Sequence, residues 1–215
     1  MEPSFPLLDA LDEGTRRTVL ACTRRRRFAR GETIFHEGDP GDALHLVEKG
    51  SIAIRVTTPM GDVATLTVIG RGDALGEGAL LAPDSRRTAS AVPLEPTETR
   101  VLHHHEFAAL RHEHPAVTEV LIAALAAQVR RLSEHLVEAL YVEADRRILR
   151  RLLLLAGNEA RADIPITQDD LATMAGTTRP TANRVLKLAE ADGLVSLRRG
   201  HVSVLDVAGL TRRAR

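Results

Sequence analysis

The spacing of apolar residues changes character at Pro115, and this change constrains the chain more than any other feature. Before it, short runs alternate apolar with polar residues and are punctuated by glycine; after it, the spacing is helical through Ala139. Glu32–Phe35, Ala43–Val47, Ser51–Val56, Ala64–Ile69, Ala89–Val92 and Glu98–Leu102 read as strands. Turn formers separate them, among them Gly38-Asp39-Pro40-Gly41-Asp42 and Gly70-Arg71-Gly72-Asp73. Short strands at this spacing predict an antiparallel barrel, roll or sandwich. Ahead of them, Leu7–Phe28 reads as a short helix followed by a basic run, Arg24–Arg27, on a solvated edge.

Beyond Pro115, Ile122, Leu125, Val129, Leu132, Leu136 and Ala139 step by alternating threes and fours, a heptad seam with apolar a and d positions. Arg130, Arg131, Glu134 and Glu138 lie off the seam. A stripe so long and narrow is buried better by a parallel partner helix than by the helix's own domain, so a homodimer is expected. Asp145 offers a fresh N-cap, and the break at Glu143–Asp145 is the expected hinge. The predicted class is α+β: an antiparallel barrel, roll or sandwich over 1–114, a dimerisation helix and hinge over 115–144, and a separate domain over 145–215.

Composition narrows the partners. With four Phe, one Tyr and no Trp among 215 residues, aliphatic side chains and alanine must fill the core. The lone Cys22 excludes a disulfide framework and a thiolate-ligated iron–sulfur cluster. No signal-peptide pattern or membrane-spanning apolar run is visible, so a soluble cytoplasmic chain without a membrane partner is expected. Net charge is zero, but from Asp145 onward 13 Lys/Arg stand against 8 Asp/Glu, leaving an acidic excess in the remainder. This asymmetry fits a C-terminal module that contacts phosphate.

That module has a pattern of its own. Thr167-Gln168-Asp169-Asp170 opens a helix with a capping-box-like start, and Leu171, Ala172 and Ala175 continue it to a left-handed turn at Gly176. Thr178 caps the next helix, with Pro180 in its first turn. Two short helices joined so tightly describe a helix-turn-helix. On the second helix Ala182, Val185, Leu186 and Ala189 face inward, leaving Pro180, Asn183, Arg184 and Lys187 on the opposite stripe. Arg179 and Arg184 suit guanine, while Thr178, Thr181 and Lys187 share the DNA-facing surface. Leu194–Leu205 reads as a two-stranded wing turning at Gly200, with Arg198 and Arg199 placed for phosphates. Double-stranded DNA is the expected partner.

Gly76-Glu77-Gly78-Ala79-Leu80 followed by Arg87-Thr88-Ala89 completes the set. With this cassette, the roll, the long helix and the terminal helix-turn-helix, nearly the whole chain resembles the Crp/Fnr superfamily, in particular its cyclic-AMP receptor branch. The resemblance implies that residues 1–114 form a jelly-roll-like β-roll and that the cassette grips the phosphate and ribose of a cyclic nucleotide, cyclic AMP being favoured. A short helix starting at Gly76 would point N–H groups at an anion. Arg87 would pair with phosphate oxygens, Thr88 would add a hydroxyl, and Glu77 would accept from the ribose 2′-OH. The family's base-reading pair falls on Leu132-Ser133, where Leu132 has lost a hydroxyl, and Gly78 replaces a larger apolar residue. Pro180 stands where the family carries a cytosine-reading glutamate. RNA polymerase is an expected partner on the same basis.

His103-His104-His105, with His112 and His114, invites a metal reading, but consecutive strand residues point to opposite faces. No metal or haem is expected, and no nucleophile-and-base spacing, P-loop or dinucleotide fingerprint marks an enzyme. Two alternatives stay open beside a nucleotide-gated DNA-binding regulator. One is a regulator with a vestigial or different-ligand sensor that binds DNA constitutively. The other is a nucleotide-binding module that regulates a partner protein.

Overall fold

The computed structural model describes residues 5–81, 85–157, 159 and 161–215, which divide into two compact units. The first draws on residues 1–56 and 68–131, the second on residues 57–67 and 132–215.

The first unit opens with a 3-10 turn (Pro6–Leu8) and helix α1 (Glu13–Ala21). The carboxylate of Asp12 caps α1, accepting from the Thr15 N–H at 2.9 Å. The strands follow in chain order as β1 (Arg24–Phe28), β2 (Ala43–Lys49), β3 (Ile52–Thr57), β4 (Val63–Ile69, whose residues 63–67 are counted in the second unit), β5 (Ala74–Leu75), β6 (Ser90–Pro93) and β7 (Thr97–His103). One sheet has the order β1-β7-β2-β5 and the other β4-β3-β6. The one-turn helix α2 (Gly78–Leu81) sits between β5 and β6, while α3 (His104–Glu113) and the long α4 (Ala116–Tyr141) follow β7. β2 is not half-buried as alternation would predict; Ala43 through Val47 are all buried, so both its faces are covered. Leu44 and Leu46 join Leu80, Leu102 and Phe107 in one core cluster, and Val47 joins Ile52, Leu75 and Ala91 in another.

Two segments depart from the sequence expectation. Arg24–Arg27 lies on a solvated edge as expected but is itself strand, paired antiparallel with β7 from Arg24↔Val101 to Phe28↔Thr97. Carboxylates brought in by other elements make this tolerable: Glu106, Glu48 and Glu98 lie within 3.9 Å of Arg24, Arg25 and Arg27. Glu32–Phe35 is not a strand but meets β6 through one bridge, Phe35↔Ala91. It then turns where Asp39 accepts from the His36 N–H at 2.8 Å.

His45 on β2 is buried between the rings of Phe28 and Phe35, at centroid distances of 6.3 and 5.9 Å, with Nδ1 3.2 Å from Thr99 Oγ1. Burial, reinforced by the charges of Arg87, Arg26 and His103 and opposed by Asp42, pushes its pKa from 6.5 to about 3. The unfolded chain therefore takes up a proton that the folded chain refuses as pH falls from 6.5 toward 3. Stability should drop across that window by up to ~1.4 kcal/mol per pH unit, with no such loss above it. Urea unfolding of wild type and His45→Asn at stepped pH tests this. The variant should lack that share of the acid sensitivity, and parallel curves would show that His45 plays no part.

The second unit contains α5 (Ala144–Ala156), β8 (Ala162–Ile164), α6 (Gln168–Met174), α7 (Arg179–Ala191), β9 (Val195–Arg198), β10 (His201–Val204) and α8 (Val207–Arg213). The N-cap of α5 is Glu143, so Asp145 lies in its first turn rather than capping it. Thr167 caps α6, accepting from the Asp170 N–H at 3.1 Å. Thr178 takes the cap position of α7, but its hydroxyl contacts Thr181 Oγ1 at 3.2 Å instead of a backbone N–H. Gly176 adopts φ +59°, the left-handed turn between the two helices. Arg147 braces this turn, donating to the carbonyls of Ala175 at 2.7 Å and Gly176 at 3.1 Å. Ala182, Val185, Leu186 and Ala189 are all buried, against α5 and α6. The wing is a three-stranded sheet ordered β8-β10-β9, because β8 adds to the expected pair. Thr65 also belongs to this unit, donating to Asp170 Oδ1 at 2.7 Å.

Candidate ligand cradle and nucleic-acid interface

In the first unit, Arg87 follows α2 and turns its guanidinium inward, where 7% of the residue remains exposed. Its Nη2 donates to Asp42 Oδ1 at 3.1 Å, and its Cζ lies 4.1 Å from the centre of the Phe35 ring. Nε and Nη1 are buried with no hydrogen-bond partner. Burial pulls the guanidinium pKa down, and Asp42, itself largely exposed, only partly offsets this. A buried cation with two unused donors costs free energy unless an acceptor arrives. It is thus chemically fitted to an anion.

Gly76 makes this burial possible. Its φ is +85°, and a Cβ there would collide with Nη1 of Arg87 and come within 2.9 Å of the Ala43 carbonyl oxygen. The helix does not begin at Gly76 as the sequence led one to expect. It begins at Gly78 and lasts one turn, so the left-handed Gly76, not a helix terminus, shapes the cradle. Glu77 is partly buried, which raises its pKa, while its own and the Gly76 N–H groups and the charge of Arg131 on α4 oppose the rise. Ala79 is buried, Thr88 is exposed, and a Cβ on Gly78 would meet nothing within 4 Å. Asp42, Phe35 and Arg131 were not singled out from the sequence. Asp42 stood in a turn-forming run and Arg131 off the seam, with no local signal linking them to the cassette. Leu132 and Ser133 are exposed residues of α4 within the second unit.

The expected DNA face lies wholly in that unit. Thr178, Arg179, Pro180, Asn183, Arg184 and Lys187 are exposed along α7, with Thr181 half-buried. Arg198 ends β9 and Arg199 enters the wing turn at Gly200. A cleft of about 310 Å³ separates the start of α6 and Arg179 from the wing. Most of these cations already hold carboxylates: Arg179 with Asp169 at 3.3 Å, Arg184 with Asp145 at 2.6 Å and Arg198 with Asp163 at 2.8 Å. Lys187 holds Glu190 at 2.8 Å on its own helix. The Asp163 carboxyl sits below its usual pKa, chiefly through the Ser203 hydroxyl and then Arg198. Among the described residues, the histidines form no group able to hold a metal ion with other ligands, and no helix is long and apolar enough to cross a membrane.

Comparison with known proteins agrees with both halves. A family described as "Cyclic nucleotide-binding domain" matches residues 25–114, and one described as "Crp-like helix-turn-helix domain" matches residues 146–213. The Cyclic AMP receptor protein of Thermus thermophilus is 35% identical over 190 residues, 88% of either chain. The CRP-like cAMP-activated global transcriptional regulator of Mycobacterium tuberculosis is 32% identical over 87% of either chain. In fold, the chain is similar to the c-di-GMP responsive global regulator CLP of Xanthomonas campestris, with TM-score 0.73 and 24% identity over 90% of this chain and 99% of that one. Its relatives are transcription regulators rather than enzymes. An N-terminal cyclic nucleotide-binding domain, a long helix and a C-terminal Crp-like reader follow in order, and the chain belongs to the Crp/Fnr superfamily of DNA-binding transcription regulators.

Proposed function

We propose that this regulator is gated by cyclic AMP and acts as a cytoplasmic homodimer on a two-fold DNA operator, with RNA polymerase as its further partner. The observation that carries the gating is the buried Arg87 guanidinium, two of whose nitrogens lack acceptors beside the partly buried Glu77. A cyclic phosphate supplies the acceptors and a ribose 2′-OH supplies a donor for Glu77. Gly76, Gly78, Ala79 and Thr88 complete the cradle, and the assignment of Leu132 and Ser133 to the base rests on the family resemblance. Arg179 and Arg184 read bases, with Thr178, Pro180, Thr181, Asn183 and Lys187 around them, and Arg198 and Arg199 hold phosphates. Residues 1–114 serve as sensor, 115–144 as dimerisation helix and hinge, and 145–215 as reader.

Calorimetry with cyclic AMP, cyclic GMP and cyclic di-GMP, paired with operator affinity measured with and without each, tests the proposal. Cyclic AMP should bind and strengthen operator binding by ~5–150-fold, and operator should strengthen cyclic AMP binding by the same factor. Equal operator affinities with ligand demonstrably bound would make this a constitutive DNA binder. Cyclic di-GMP is the second candidate, because the open space at Gly78 leaves room for a larger ligand and a structural neighbour is named for that response.

A further inference from the structure

The acids on the reader's DNA face are unusual in their placement. Asp169 comes from α6, Asp145 from α5 and Asp163 from β8, yet each reaches a different arginine of the expected DNA-contacting set. All three pairs are exposed on both sides, with 44–66% of each side chain accessible. Exposed pairs contribute only ~0–1 kcal/mol to stability, so holding the fold together is a poor explanation for them. Arg199, at the wing turn, makes no ion pair among the described residues, which leaves it a free charge for first encounter.

We propose that Asp145 and Asp169 are specificity-determining residues that stand in for DNA phosphate on Arg184 and Arg179, while Asp163 holds the phosphate-contacting Arg198 in the same way. The proposal rests on the DNA-binding reading of this face. Non-specific binding draws almost wholly on charge. A face whose arginines are already neutralised gains little from a random duplex, and the displaced carboxylates then confront phosphates. At an operator, Arg179 and Arg184 gain bidentate hydrogen bonds to base edges that no carboxylate on the free protein replaces. The same pairs hold the guanidiniums near the α7 surface, so less side-chain freedom is lost on docking in the specific mode. Asp145 and Asp169 therefore penalise random sequence more than operator.

The test uses the full chain at saturating cyclic AMP, with an operator selected from a random pool and a random duplex, by fluorescence anisotropy over a salt series. Each additional effective cation steepens the log–log salt slope by up to ~0.9, or about 5-fold in affinity near 0.15 M salt. Asp169→Asn and Asp145→Asn should each tighten random-duplex binding by about that factor and steepen its slope. Operator binding should gain less, so the operator-to-random ratio falls. Asp163→Asn should tighten both duplexes alike, because Arg198 holds phosphate on either; if losing the Ser203 hydrogen bond unfolds it, the other two carry the test. Asp192→Asn removes an equal charge at the far end of α7, from a pair with Arg213, and should change neither affinity. For Asp145→Asn and Asp169→Asn, an equal gain on operator and random DNA or no gain at all would overturn the proposal, as would an equal gain from Asp192→Asn. Those outcomes all require wild-type binding. A wild type and variants that bind neither duplex would instead remove the DNA-binding reading, and the proposal with it.

Discussion

Substituting Arg87 with methionine is expected to leave the protein folded, raise its thermal midpoint slightly and cost at least ~10-fold in cyclic-nucleotide affinity. The two effects have one cause. Arg87 keeps 7% exposure and carries two buried nitrogens without acceptors, so in the free protein the charge is a liability. Methionine fills similar volume against Phe35 without that penalty. Its loss also costs Asp42 little, since that side chain is 71% accessible and solvated by water. Replacing a buried charged group by an apolar one of similar size is often neutral or stabilising, and ~1 kcal/mol corresponds to ~2–4 °C in a chain of this size. Thermal scans with and without ligand report both effects at once. The ligand-induced shift should vanish while the baseline midpoint holds or rises. A variant that still shifts with cyclic AMP would remove Arg87 from the site, and one that melts much lower would recast it as a structural residue.

The second large effect concerns the seam on α4. Val129, Leu132 and Leu136 are 62%, 58% and 60% exposed in the protomer, with Leu140 and Tyr141 similarly bare. A run of exposed large apolar side chains marks a surface that is covered in use. Val129→Glu with Leu136→Glu should barely disturb the protomer, because neither side chain supports its core. Across a parallel pair the same changes set carboxylates against carboxylates in a dry seam, so light scattering should report monomers. Operator affinity should fall toward the non-specific level, on the order of 10³-fold, because one reader then addresses one half-site. A double variant that remains dimeric would place the dimer interface elsewhere on the molecule.

Long periodic stretches were legible from sequence, and short or charge-rich ones were not. The start of α4 at Ala116 follows from the period change at Pro115, and α6, Gly176 and α7 follow from cap, turn and apolar spacing. The wing pair β9–β10 was visible around Gly200, but the three-residue β8 that joins it carries too little pattern to read. The strand character of Arg24–Arg27 depends on carboxylates at positions 48, 98 and 106, so no local window contains its cause. The same limit applies at the ligand cradle. Gly76, Glu77 and Arg87 announced themselves as a cassette, whereas Asp42 and Phe35, which set the state of the Arg87 guanidinium, approach it only once β2 and the bridge to β6 have formed. The pairs of Arg179, Arg184 and Arg198 were invisible for the same reason, since each joins residues on separate elements.

The cradle's two glycines set very different terms for its evolution. Every single-base change of a glycine codon that yields another amino acid brings a Cβ with it. At position 76 that atom lands on the Arg87 guanidinium and close to the Ala43 carbonyl, in a backbone conformation that side chains resist. At position 78 it enters open space. A lineage carrying this cassette can therefore drift at 78 without disturbing the Arg87 guanidinium, but drift at 76 displaces that group first. Engineering the sensor toward another nucleotide has the same starting point, with residue 78 as the adjustable wall and residue 76 as the hinge pin that must stay bare.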